Sequence, residues 1–421
     1  GTGKTLTPLW VKERLKAKQV LVLLPSLSLL SQTLKEWNAA ASEPFKWICV
    51  CSDKSVAKKD KTADDWITNT SEIGVPVTSE IEDIKHFLNE TGEKIIFSTY
   101  QSSPLIAQAQ DEEEIPAFDV VFADEAHRCA GKVSEAFGCV LDDQRIRATK
   151  RLFFTATPRV LSNQIKSRAA GEDIEIASMD DTSVFGQILY QLKFSDAINR
   201  QPSLLTDYQV VVIGVDDVII QEQIMNRDLI TTDGEDLFDA EQLASKIALA
   251  KAIKDYELKR VITFHGRVKG AQSFSLDFEK ALQLIPKSER PDGTIYSEHV
   301  SGEMKASERN EKIQRLKDLK EGERRVLTNA RCLSEGVDVP TLDGVAFIDP
   351  KNSQVDIIQA VGRAIRKSND KKCGTILIPI YLGEGSDTEE EIAASRFQDV
   401  WQIILALKSQ DDSLMEEIDT L

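Results

Sequence analysis

The chain opens on Gly1-Thr2-Gly3-Lys4-Thr5, which matches the end of the phosphate-loop pattern GxxxxGK[ST]. Glycines there let the backbone curl until several N–H groups point at one phosphate. Gly1, Thr2 and Gly3 would form that cradle, Lys4 would reach the β- and γ-phosphates, and the Thr5 hydroxyl would ligate Mg2+. A second candidate lies far downstream. Asp124-Glu125-Ala126-His127 follows the apolar run Phe118 to Ala123. An acidic pair at the carboxyl end of a parallel strand sits in the ligand crevice of an α/β sheet. Asp124 would hold Mg2+, directly or through water, while Glu125 would orient and polarise the attacking water. Phosphoryl transfer needs that division of labour, because positioning and charge stabilisation supply most of its catalysis. His127 has no second His or Cys near it in sequence, so it reads as a coupling or packing residue rather than a metal ligand.

These residues need strands that end together. Gln19 to Leu24 is a continuous apolar run closed by Pro25, as a buried parallel strand requires. Leu27 to Trp37 has helical spacing. Lys46–Cys51, Lys94–Ser98, Phe118–Ala123 and Arg151–Thr155 read as further strands, with helical or polar stretches between them. Residues 160–205 lose this regularity. It resumes with strands at Gln209–Val215, Arg260–Phe264, Arg325–Thr328, Gly344–Ile348 and Thr375–Ile380, and helices at Ala240–Leu258 and Lys269–Leu284. Alternating strands and helices argue for parallel sheets with right-handed crossovers. The expectation is an α/β protein of two tandem lobes, each a mainly parallel sheet flanked by helices. The lobes span 1–160 and 206–385, with a connector at 161–205 and a helical, acidic tail at 386–421. The opening of the phosphate loop and the strand feeding it lie outside the chain, so the first lobe is expected to be incomplete at its N-terminus, with additional domains upstream and downstream.

The bulk properties agree with a soluble globular protein. Of 421 residues, 41% are hydrophobic and 29% charged, and no apolar run approaches the ~18 residues of a membrane span. The six cysteines form no CxxC pair and no zinc-spaced Cys/His cluster; buried free thiols suit a reducing, cytoplasmic setting. A net charge of −17 is unlike the basic footprint of most nucleic-acid binders. It restricts any such contact to a local groove of backbone amides and a few cations.

Taken in order, the phosphate loop, Asp124-Glu125-Ala126-His127 and Thr155-Ala156-Thr157-Pro158 resemble the motifs of superfamily 2 helicases. Ser334-Glu335-Gly336-Val337-Asp338 looks like their motif V, and Gln359-Ala-Val-Gly362-Arg363-Ala-Ile-Arg366 like motif VI. The wording Ala-Asp-Glu-Ala-His-Arg and the run Asn329 to Pro340 are similar to predicted bacterial DNA helicases, including the motor parts of type III and single-chain type I restriction enzymes. The resemblance implies two RecA-like lobes that clamp ATP and Mg2+ between them, with Gly336 and Asp338 helping to hold the nucleotide. Ser353 to Lys367 reads as a helix with Ser353 as N-cap. On it Gln359, Arg363 and Arg366 share a face; the two arginines would act as fingers on the γ-phosphate and Gln359 would contact phosphate or water. Thr155 and Thr157, as motif III, would couple the ATP site to the nucleic-acid path through His127, unless they are ordinary strand threonines. Pro25, Ser26, Ser98, Thr99, Tyr100 and Gln101 would touch a sugar-phosphate backbone from the first lobe. His265, Gly266, Arg267, Ser301, Gly302, Thr328 and Asn329 would do so from the second, with strand-end caps and turns as the alternative for each. The implied partner is nucleic acid, DNA favoured over RNA. Two other readings stay open: a duplex translocase or remodeller that separates no strands, and a low-turnover nucleic-acid scaffold, which intact Lys4, Asp124, Glu125, Arg363 and Arg366 argue against.

Overall fold

The computed structural model describes residues 3–51, 76–111, 115–172, 174–216, 240–302, 304–330, 339, 341–349, 353–368, 371, 373–382 and 400–411. Gly1, Thr2, Gly336 and Asp338 lie outside the described residues, as does most of the expected tail. Two compact units emerge, Gly3–Gln191 and Leu192–Leu421.

The first unit is built on a six-stranded sheet. Its strands are β1 (Gln19–Leu24), β2 (Lys46–Val50), β3 (Val77–Thr78), β4 (Lys94–Thr99), β5 (Val120–Asp124) and β7 (Arg151–Phe154), in the order β3-β2-β4-β1-β5-β7. All pairs are parallel. A separate antiparallel pair joins β6 (Gly131–Lys132) to β8 (Ile176–Ala177). The central strands are apolar through their middles because both faces are covered. In β1, Leu21 and Leu23 enter one core while Val20, Val22 and Leu24 enter the other. In β5, Val121 and Ala123 alternate with Val120 and Phe122 in the same way. That is the pattern of a parallel sheet buried on both sides.

The second unit has a sheet of β9 (Tyr208–Asp216), β10 (Arg260–Phe264), β11 (Thr294–Val300), β12 (Glu323–Asn329), β13 (Gly344–Phe347) and β14 (Gly374–Leu382). Its order is β11-β12-β10-β13-β14-β9, again all parallel. Helices Ala240–Asp255 and Val268–Leu284 cover one face through Leu243, Ile247, Phe274 and Phe278. Residues 400–408 are helical, and Tyr208 donates its hydroxyl to Asp411 beyond them.

Both units fix the register of their central strand by one device. In the first, Asp119 accepts the backbone N–H groups of Lys18 and Gln19, at 2.7 and 2.9 Å. In the second, Asp343 accepts those of Lys259 and Arg260, at 3.0 and 2.7 Å. Each carboxylate satisfies two amides at the start of β1 or β10, where no strand partner reaches them.

Three expectations need correction. The short β3 and the edge strand β11 were not anticipated, nor was the helix Ala306–Lys317. Residues 160–205 are less irregular than expected, with helices at Asn163–Gly171, Thr182–Phe185 and Phe194–Asn199. The helix expected over Ser353–Lys367 runs only over Gln354–Ala364. Its end is set by competing donors: the Lys371 ammonium takes the Ala364 carbonyl and the Thr206 amide takes that of Ile365. Arg366 thus lies beyond the helix, bridged to Leu205, and does not share a helical face with Gln359 and Arg363.

Candidate functional site

Parallel register places the chemistry at one edge of the first sheet. Leu24 lies beside Thr99, Leu23 beside Ala123, and Asp124 beside Phe154. The residues that follow these strands, Pro25, Tyr100, Glu125 and Thr155, therefore emerge together at the carboxyl ends, where open α/β sheets bind ligands.

Lys4 reaches this edge from the other end of the sequence. Its ammonium is hydrogen-bonded to Glu125, 121 residues away, and lies 3.1 Å from Asp124 Oδ1. Burial alone would lower the Lys4 pKa, but Asp124 and Glu125 beside it hold it above its ordinary value. Burial pushes Asp124 up, against the pull of Lys4. Gly3 adopts φ +86°, which a side chain would resist, and its carbonyl accepts the amides of Leu6 and Thr7 to start the helix Thr7–Leu15. The Thr5 carbonyl accepts the indole N–H of Trp37 at 2.8 Å. Trp37 is fully buried against Phe97 and Phe122, so a rigid aromatic cluster holds the residue next to Lys4.

The acidic turn is strained. Glu125 has φ 49° and ψ 45°, the left-handed region, which costs a non-glycine residue about 1–3 kcal/mol. Its amide donates to Asp124 Oδ1 at 3.0 Å, and the carbonyl of Asp124 accepts the Tyr100 hydroxyl at 2.6 Å. Glu125 Oε2 is buried without a hydrogen-bond partner among the described residues. Buried polar atoms are seldom left so, and one in a cleft marks a place where a ligand or water is handled. His127 Nδ1 lies 3.5 Å from that oxygen and 3.0 Å from Thr155 Oγ1, which also accepts the Thr157 amide at 3.1 Å. Burial, helped by Arg128 and Lys4, lowers the His127 pKa to about 3, so the imidazole is neutral. The expected coupling residues His127, Thr155 and Thr157 are thus joined in one chain that starts at Glu125. Thr157 Oγ1 ends it, buried and with no partner among the described residues.

These groups fit a Mg2+-nucleotide. Mg2+ prefers one or two carboxylates with phosphate and water as its remaining ligands. Asp124 and the Thr5 hydroxyl suit that role, and no cluster of three or more His, Cys, Asp or Glu among the described residues offers a protein-only metal cage.

In the second unit, Gln359 and Arg363 lie one turn apart on Gln354–Ala364, with Ser353 Oγ capping the helix by accepting the Asp356 amide. Both amide atoms of Gln359 are buried without a partner among the described residues.

The nucleic-acid residues divide in two. Several side chains are spent on the fold. Ser98 Oγ donates to the Val50 carbonyl, Thr99 pairs with Ser102, and Tyr100 grips Asp124. His265 Nε2 pairs with Thr263, Thr328 donates to the Ala271 carbonyl, and Asn329 to that of Thr263. Ser26 caps Leu27–Ala40 by accepting the Leu29 amide, while Pro25 and Ser301 are buried. These eight polar side chains and Pro25 are thus buried or hydrogen-bonded within the fold. Gln101, Gly266, Arg267 and Gly302 keep access to solvent. Sequence reasoning missed Trp37, whose only signal was its place on an apolar helix face after Leu30 and Leu34, and it missed the bond of Tyr100 to Asp124.

Residues 1–160 match the family model "Type III restriction enzyme, res subunit", and 245–368 match "Helicase conserved C-terminal domain". The chain is 24% identical over 425 residues to "Probable helicase A859L" of African swine fever virus (isolate Pig/Kenya/KEN-50/1950), covering 99% of this chain and 41% of that protein. Among solved structures, it superposes on "ATP-dependent Type ISP restriction-modification enzyme LlaBIII bound to DNA" with a TM-score of 0.79 and 31% identity, covering 100% of this chain and 28% of the other. On the related enzyme LlaGI, a nuclease-deletion mutant in complex with a DNA substrate mimic, the TM-score is 0.62 and the identity 29%, over 100% of this chain and 27% of that one. The chain thus spans well under half the length of these relatives.

Proposed function

Starting from a chain that carries the superfamily 2 helicase motor, we propose that it hydrolyses ATP to move along nucleic acid, with DNA the substrate, as one part of a larger DNA-processing protein. One observation carries the reading most: the Lys4 ammonium lies on both Asp124 and Glu125 at the carboxyl end of β5. A lysine in a glycine turn, beside an acidic pair at a strand end, is the apparatus for binding and cleaving a nucleoside triphosphate. Lys4 and the loop amides bind the phosphates. Asp124 and the Thr5 hydroxyl would hold Mg2+, which would neutralise phosphate charge. Glu125 orients the attacking water through Oε2, with Lys4 on its other oxygen and His127 beside it. The neutral His127 and Thr155 pass any shift of Glu125 to Thr157. Gln359, Arg363 and Arg366 belong to the second unit, and we assign them, with Gly336 and Asp338, to the same hydrolytic cycle on the resemblance of their motifs alone. Of the candidates for contacts to a sugar-phosphate backbone, Gln101, Gly266, Arg267 and Gly302 are the ones with solvent access.

DNA over RNA is favoured because the two structurally similar restriction-modification enzymes are described with DNA. Buried free cysteines suit a cytoplasmic setting, and among the described residues no helix is long and apolar enough to cross a membrane. The test uses the intact protein in two assays, displacement of a strand from a duplex and displacement of a third strand from a triplex. ATP-dependent activity in either supports the motor. Triplex displacement alone favours translocation along a duplex without strand separation. Activity in neither, with DNA bound, would refute the motor and leave a scaffold.

A further inference from the structure

The peptide plane between Asp124 and Glu125 is the hinge of the acidic pair, since its orientation aims both carboxylates. It is gripped at both ends. The N–H belongs to Glu125 and donates to Asp124's own carboxylate at 3.0 Å; the C=O belongs to Asp124 and accepts the Tyr100 hydroxyl at 2.6 Å. The left-handed Glu125 makes this plane costly to hold, so something outside the turn must fix it.

Tyr100 is well placed to do so. It begins the 3-10 turn Tyr100–Ser102 at the end of β4 and is fully buried. Its ring stacks on Phe137 with centroids 5.1 Å apart and planes 22° from parallel. Phe137 sits on the short helix Glu135–Gly138, which Ser103 tethers by donating its hydroxyl to the Ala136 carbonyl at 2.6 Å. The phenol also neighbours Cys129, the last residue of the 3-10 turn Ala126–Cys129 that follows Glu125. Burial raises the Tyr100 pKa well above its ordinary value, so the hydroxyl stays a donor. A fixed ring thus carries one hydroxyl between the two ends of the acidic turn. This residue lies in a segment that sequence resemblance gives to nucleic-acid contact, yet no part of it reaches solvent.

We propose that Tyr100 is a positioning residue for ATP hydrolysis, holding the Asp124–Glu125 peptide plane so that Glu125 is aimed at the attacking water. The inference rests on the hydrolytic reading of Glu125 and names the group that keeps that residue in its strained conformation.

The variant is Tyr100→Phe in the intact protein, which keeps the ring and its stacking and removes only the donor. A misplacement of about 1 Å in catalytic geometry costs up to ~10²-fold in rate, so kcat at saturating DNA is expected to fall about 10- to 100-fold. KM for ATP and nucleotide-free DNA affinity should stay within about threefold, because the hydroxyl is buried and spent on the Asp124 carbonyl. Hydrogen exchange should quicken in residues 124–129 and not across the rest of the unit, a local signature that a general loss of stability would not produce. A wild-type kcat, failure to fold, or a lowered Tm with kcat per folded molecule unchanged would assign the hydroxyl to stability and overturn the proposal. Lost DNA affinity with normal kcat at saturating DNA would return Tyr100 to the nucleic-acid track and overturn it too. Glu125→Gln, measured beside it, separates the two levels. If Glu125→Gln abolishes turnover and Tyr100→Phe does not, the positioning role fails alone; if Glu125→Gln turns over normally, the hydrolytic reading falls and takes this inference with it.

Discussion

Thr155→Val is the sharpest perturbation of the path proposed to lead from Glu125 to Thr157. Valine keeps the volume and β-branching of threonine and replaces the hydroxyl with a methyl. Two hydrogen bonds go at once, to His127 Nδ1 at 3.0 Å and from the Thr157 amide at 3.1 Å. Each is worth about 1 kcal/mol net, giving a loss of about 2 kcal/mol for this half-buried residue. At about 2–4 °C per kcal/mol for a unit of this size, Tm should drop by roughly 4–8 °C. The functional effect is separate. Without Thr155, the neutral imidazole beside Glu125 Oε2 loses its link to Thr157, so DNA should no longer accelerate hydrolysis. The expected result is an ATPase rate near the DNA-free level even at saturating DNA, with KM for ATP little changed. Calorimetry and steady-state ATPase with and without DNA measure both. An unchanged Tm together with full DNA stimulation would refute the proposed chain from Glu125 through His127 to Thr157.

Trp37→Phe should keep the edge contacts to Phe97 and Phe122 but release the Thr5 carbonyl. Losing about 1 kcal/mol of loop ordering should raise KM for ATP about fivefold with kcat nearly unchanged, and an unaltered KM would deny the indole its role. His127 makes a prediction in pH. Burial holds its folded pKa near 3 against an ordinary 6.5, so the unfolded chain binds a proton that the folded imidazole refuses. Its contribution to stability is complete above pH 6.5 and drains away as pH falls toward 3. His127→Gln should therefore flatten the loss of urea resistance between pH 7 and 4, and equal slopes in the two proteins would contradict a buried neutral imidazole.

Much of the fold was legible because β1, β4, β5 and β10 are buried strands with mainly apolar centres, followed by Pro25, Tyr100, Glu125 and His265. β3 and β11 were not legible. β3 is two residues long, and β11 is an edge strand whose polar Ser297, Glu298 and His299 mask its pairing with β12. The helix Gln354–Ala364 was read too long because the donors that end it, Thr206 and Lys371, lie outside the local pattern. The acidic pair and the phosphate loop were found separately, and their types implied a shared ligand; the contact of Lys4 with both carboxylates required the fold. The bond of Tyr100 to Asp124 was not legible, because a tyrosine after a strand is as suitable for a groove as for a core, and its burial shows only in the fold.

If Glu125 activates water for ATP hydrolysis at a site gripped by Lys4, loss of its carboxylate must separate nucleotide binding from turnover. ATP binding and DNA-stimulated ATPase are measured in the intact protein and in Glu125→Gln, a change that removes the carboxylate and leaves Lys4, Thr5 and Asp124 in place. ATP affinity is expected to stay within about threefold of wild type and hydrolysis to slow by at least ~10²-fold. Wild-type turnover in Glu125→Gln would contradict that role of Glu125.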